Sequence, residues 1–128
     1  MAGRIAYDDL ARVSGSLSSV GTSEEVTLQM PQKEASRSES WQLIAFAFVQ
    51  TGGSAAYAPT LGEAASYTGG GVQDRMTIAS TTSGTKIDSR FDPPIPLITD
   101  SNGRLYFRPT FASGSQSADY VFWFRKAG

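Results

Sequence analysis

The residues able to do chemistry are few and poorly placed for it. The 128-residue chain has no His and no Cys. Imidazole relays, thiolates, disulfides and the common zinc and haem ligands are therefore excluded. Carboxylate, Lys, Tyr, Ser and Thr chemistry remains. Asp88 and Asp92 come nearest to the paired carboxylates that cleave glycosides. Alternation aims Asp88 at solvent, and Asp92 stands before Pro93. Asp8-Asp9 and Glu24-Glu25 read as solvated acids. Gly69-Gly70-Gly71 has the composition of a phosphate loop without its Gly-Lys-Ser/Thr ending or following helix. Thr82-Ser83-Gly84-Thr85-Lys86 lacks phosphate-loop spacing and reads as a hairpin turn. Asp100-Ser101-Asn102-Gly103 begins like a calcium loop but lacks its third acidic position and distant Glu. No catalytic, cofactor-binding or metal-ligating residue is assigned, and the expectation is a protein that is not an enzyme.

Recognition is better provided for than catalysis. Trp41, Tyr57, Tyr67, Tyr106 and Trp123 could stack on sugars, or fill a core or an interface. Arg104, Tyr106 and Arg108 share one side of a strand. If that strand pairs with the last one, Trp123 and Arg125 join them. Arg with aromatics is the composition of protein interfaces, and it also suits a sugar or a single-stranded nucleic acid. Eleven basic against twelve acidic residues give a net charge of −1. That balance argues against a general nucleic-acid binder.

The elements that position these residues are strands. Seventeen Ser, eleven Thr, thirteen Gly and 11% aromatics favour short strands and turns. From Glu24 onward the hydrophobic period is two. Val26, Leu28 and Met30 form one face of a strand that Pro31 stops. Over 41–50, Trp41, Leu43, Ala45, Ala47 and Val49 line one face, and Ile44, Phe46 and Phe48 the other. The stretch 55–68 reads as an irregular edge strand or a long loop. Val72, Met76 and Ile78 alternate with Gln73, Arg75 and Thr77, and Ile87 and Phe91 with Lys86, Asp88 and Arg90. Asp92-Pro93-Pro94 breaks the chain, and Ile95–Thr99 is a short edge strand. Asn102-Gly103 marks a hairpin. Leu105, Phe107 and Phe111 then face the core, as do Tyr120, Phe122 and Phe124 in a last strand that shows Val121, Trp123 and Arg125 on its other face. About eight strands predict an all-β antiparallel sandwich, a jelly roll in preference to a small barrel.

The expected organisation is an arm or linker over 1–23 and a β-sandwich over 24–128. Arg4–Val13 is the one candidate helix, with a short strand or a packing arm as the alternatives, and 14–23 reads as a loop. No apolar run is long enough to span a membrane. The acids near the start do not fit a signal peptide, so the chain is expected to be used without Sec export.

The run Pro96-Leu97-Ile98-Thr99-Asp100-Ser101-Asn102-Gly103-Arg104-Leu105-Tyr106-Phe107-Arg108-Pro109, followed by Tyr120-Val121-Phe122-Trp123-Phe124-Arg125, resembles the end of small jelly-roll virion proteins of tailed bacteriophages. The resemblance covers about a quarter of the chain. It implies a head decoration, cement, spike or fibre component, located in the virion, without catalytic residues or cofactors. It also implies a homo-oligomer, with a trimer preferred, bound to other capsid proteins. Independently, two strands apolar on both faces exceed what one small sandwich needs and ask for cover by another chain. The interface candidates are Trp41, Leu43, Val49, Arg104, Tyr106, Arg108, Val121, Trp123 and Arg125. The alternative is a carbohydrate-binding β-sandwich acting in receptor recognition, with a glycan as partner.

Overall fold

The computed structural model describes residues 10–32, 36–65 and 74–127. Among these residues there are eight strands and no α-helix: β1 (Leu10–Val20), β2 (Val26–Gln29), β3 (Ser40–Gly52), β4 (Thr60–Gly62), β5 (Asp74–Thr77), β6 (Ile87–Ile98), β7 (Arg104–Arg108) and β8 (Gln116–Lys126). They form two four-stranded sheets, β1-β8-β3-β6 and β2-β7-β4-β5. Each strand of the first half pairs antiparallel with its mirror in the second half: β1 with β8, β2 with β7, β3 with β6 and β4 with β5. The chain is thus one long hairpin, rolled so that alternate pairs fall on opposite sheets, which is the jelly-roll order. The expected all-β sandwich is the observed fold.

Alternation fills the space between the sheets. Phe46 and Phe48 on β3, Leu105 and Phe107 on β7, and Phe122 and Phe124 on β8 are all buried, as their spacing predicts. Phe107 is the ring that joins the two sheets. Its centroid lies 5.0 Å from Phe122, 5.0 Å from Tyr120 and 5.8 Å from Phe46, all on the facing sheet. Edge-on and tilted rings at such distances add to the burial of their area.

Three local expectations are corrected. From Leu10 the helix over Arg4–Val13 gives way to its strand alternative, and the loop over 14–23 to the same edge strand β1, which runs to Val20. Ala11, Val13 and Leu17 face the core opposite Phe124, Phe122 and Ala118, so pairing on β8 decides what a weak local pattern leaves open. Residues 4–9 lie outside the described residues, as do Tyr67, Gly69-Gly70-Gly71, Val72 and Gln73. The second correction is at Asp92-Pro93-Pro94. The chain does not break there, and β6 runs through it. A sheet edge can accept prolines because no neighbour calls on their missing N–H.

The third correction concerns β3. Leu43 pairs with Phe124 and Ala45 with Trp123, so Ile44 is an extra residue on β3. Such a bulge shifts the alternation by one position. Trp41 and Leu43 therefore face the same core as Phe46 and Phe48, at 1% and 0% exposure. Both were interface candidates, and both are core residues. Across the other ladder, Leu43 pairs with Ile95 and Ala45 with Arg90, so residues 91–94 bow out opposite Ile44.

Candidate assembly surface

The outer face of the β1-β8-β3-β6 sheet is built by cross-strand rows. One row runs Arg12, Trp123, Ala45, Arg90, and the next Ser14, Val121, Ala47, Asp88. Residues opposite one another in an antiparallel ladder point to the same side. Ala45 and Ala47 are too small to fill the space between the bulky β8 side chains and the charged β6 ones. A groove of about 500 Å³ results, lined by Ile44, Ala45, Asp88, Ser89, Arg90 and Trp123. A second groove of about 330 Å³ lies beside Leu10, Arg12, Ile44 and Trp123. Both share Ile44 and Trp123, so the Trp123 indole, 36% exposed, stands as a ridge between them. Leu10, Val49 and Ile98 are also exposed. Arg125 donates to Gln42 Oε1 at 2.9 and 3.2 Å, and Ser16 Oγ donates to Asp119 at 2.7 Å.

No protein-family model and no curated protein matches the chain. Among solved structures, a chain of the capsid asymmetric unit of cyanophage Pam1 superposes with a TM-score of 0.53 and 12% identity, covering 99% of this chain and 92% of that one. The fold resembles a phage capsid chain. A chain of infectious bursal disease virus, Gx strain, aligns over 92% of this chain and 34% of its own length, with 13% identity and a TM-score of only 0.35.

Four of the nine interface candidates, Val49, Val121, Trp123 and Arg125, do share this outer face. Arg104, Tyr106 and Arg108 do not join them. Their strand pairs with β2 and β4 in the other sheet, so the two halves of the expected Arg–aromatic cluster lie on opposite outer faces. There they serve the fold. Arg108 pairs with Glu25 at 3.1 Å and Arg104 donates to Gln29 at 3.4 Å. Trp41 and Tyr57 are core rings, and the Lys126 ammonium, paired with Glu39, sits 5.1 Å from the Trp41 ring centroid. Of the sugar-stacking candidates among the described residues, Trp123 alone is exposed.

Ile44, Ala45, Asp88, Arg90, Leu10 and Arg12 were missed. A signal for the first two was present. The aromatic side chains of β3 fall at 41, 46 and 48, and the odd step between 41 and 46 is what a bulge leaves in a strand whose rings share one side.

Tyr106 is held down by the turn that precedes it. Asp100 Oδ1 accepts the N–H groups of Asn102 and Arg104 at 2.9 and 3.0 Å, and Tyr106 Oη donates to Asp100 Oδ2 at 2.5 Å. Gly103 takes φ = +76°, which an Asn-Gly turn supplies at little cost. The turn carries the chain from β6 to β7 in the opposite sheet, so it is not a hairpin within one sheet. Burial would raise the Asp100 pKa, but the Tyr106 hydroxyl and the two N–H groups outweigh it and hold it below its ordinary value. Burial and the Asp100 carboxylate push Tyr106 up to about 12.

Both shifts couple proton binding to folding. The depressed Asp100 contributes stability above its ordinary pKa and loses it as the pH falls through its folded value. The raised Tyr106 contributes stability below its ordinary pKa and loses it as the pH rises toward about 12. Urea midpoints of the parent and Tyr106→Phe should therefore differ most near neutrality. The gap should narrow below about pH 4 and above about pH 10. A gap constant across that range would show that the charge of Asp100 adds nothing to the pair.

Proposed function

We propose that the chain is a structural subunit of a virion shell, a capsid decoration, cement, spike or fibre component that binds other coat subunits. The observation that carries the reading is the jelly roll itself, which superposes over 99% of the chain on a chain from a cyanophage capsid. The outer β1-β8-β3-β6 face supplies the contact surface. Its exposed Leu10, Val49, Ile98 and Trp123 lie among Arg12, Arg90, Arg125, Asp88 and Asp119. Aromatic and Arg anchors ringed by polar groups are what protein interfaces use. The same face could hold a glycan against Trp123 beside Asp88 and Arg90, and this is the competing reading.

Antibody raised against the purified chain tests the proposal. Particles released from cells that express the chain should contain it at a fixed copy number, with label on the shell. Particles free of the chain, together with Trp123 fluorescence that responds to glycans, would overturn the assembly reading in favour of the competing one.

A further inference from the structure

The four edges of the two sheets are unequal. β2 and β5 are four residues each. β6 carries Pro93, Pro94 and Pro96, which blunt it as a partner for another strand. β1 is eleven residues long, without proline, and charged only at Arg12. Its ladder with β8 is continuous from Leu10 to Leu17, and then the register shifts and Ser19 turns to φ = +52°. Among the described residues no other strand pairs with β1, so its outer edge is open. An edge of that length and composition is a template for another strand.

We infer that β1 docks on β1 of a second copy of this chain, antiparallel, about a two-fold axis through Ser14. Ser14 lies near the middle of the continuous run Leu10–Leu17. Opposed residues share a face in an antiparallel pair, so this axis sets Ala11 against Leu17 and Val13 against Gly15 on the core side. On the outer side it sets Leu10 against Ser18 and Arg12 against Ser16.

Charge favours this register over axes at Arg12 or Val13. Among the described residues Arg12 has no carboxylate partner, only Ser14 Oγ at 3.5 Å. Among the described residues Asp119 has no cation either, only Ser16 Oγ at 2.7 Å. With the axis at Ser14, each Arg12 faces Ser16 of the second copy and reaches toward the Asp119 behind it. The complementarity occurs twice, as an isologous contact requires. An axis at Arg12 would set like charges face to face, and one at Val13 would move Arg12 from Ser16 and Asp119 to Ser14 and Val121. The pairing closes a dimer with a continuous sheet across the axis, in place of the three-fold closure that the phage resemblance implies.

This inference rests on the assembly reading, and its test separates the two. The chain has no cysteine, so a single Ser14→Cys places the only thiol on the proposed axis. Opposed Cα atoms of an antiparallel pair stand about 4.5–5.5 Å apart, within disulfide reach. Mild oxidation of the full-length Ser14→Cys chain should give a covalent dimer, and Ser16→Cys, off the axis, should not. Arg12→Asp in the Ser14→Cys background should abolish the dimer, and adding Asp119→Arg should restore it. Circular dichroism checks that each variant keeps the parental fold. No dimer from folded Ser14→Cys, or equal dimer from both cysteine variants, overturns the β1 pairing. If the chain is still found on particles, the assembly reading stands without it.

Discussion

Phe107→Ala should cost roughly 3–5 kcal/mol of stability, read as a fall in the urea midpoint, as for a large aromatic truncated in a packed core. Phe107 is fully buried and is the one ring on β7 that meets Phe46, Phe48, Tyr120 and Phe122 across the sandwich. Removing it takes from Phe46, Tyr120 and Phe122 the ring that packs on them from the opposite sheet, while Phe48 keeps Tyr57 and Phe111. Neighbours that are themselves ring-stacked, such as Phe46 on Phe122 at 4.6 Å, cannot collapse into the space without breaking their own contacts. Small domains hold about 5–15 kcal/mol in total, so the variant should sit near its unfolding threshold at physiological temperature. A loss under about 1 kcal/mol would show that the sheets close over the gap, contrary to the jigsaw packing of native cores.

The second large effect is expected at a polar residue. Gln116 is 4% exposed, at the start of β8. Its Oε1 accepts from Gln50 Nε2 at 2.9 Å and from the Ala55 N–H at 3.1 Å, while its Nε2 donates to Gly114 O at 2.8 Å. Gln50 Oε1 in turn accepts from Ser83 Oγ and the Gly84 N–H, at 2.7 and 2.8 Å. Two amides thus tie three connections together at one end of the sandwich. The fit is close, because a Cβ on Gly53, at φ = +89°, would lie 2.0 Å from Gln116 Oε1. Gln116→Leu keeps the volume and strands the Ala55 N–H and one Gln50 donor, while the carbonyl of exposed Gly114 turns to water. The expected cost is about 1–3 kcal/mol for each group left buried and unpaired. Limited proteolysis should then cut first near 53–55, 83–84 and 113–115. A variant as stable and as resistant as the parent would mean that water replaces these bonds.

What could be read in advance and what could not divide along one physical line. The fold class rests on alternation and turn residues, which act locally. Val26, Leu28 and Met30, then Leu105 and Phe107, then Tyr120, Phe122 and Phe124 each declare a strand and its buried side without reference to any partner. The core positions Leu105, Phe107, Phe122 and Phe124 follow from that alone, whereas Phe46 and Phe48 stand on a strand that is apolar on both faces. The absence of His and Cys likewise removes whole classes of chemistry before any fold is known.

The surface depended on pairing, which is not local. Period two tells which residues share a side within one strand, but not which strand lies next to it. Arg108 and Trp123 each stand on the outer side of their own strands, and only the rolled hairpin, which sends β7 and β8 to different sheets, separates them. β1 shows the converse. Ser14, Gly15 and Ser16 have little strand preference, and their conformation is supplied by the neighbouring β8 ladder. The bulge at Ile44 lies between these cases. One extra residue reverses the facing of everything before it, so Trp41 and Leu43 enter the core while Ala45 opens the groove beside Trp123. Sequence alone determined that this chain makes strands and which side of most of them is dry. Tertiary structure decided which strands are neighbours, because hydrogen-bonded partners come from opposite ends of the chain, and with them which side chains meet at a surface.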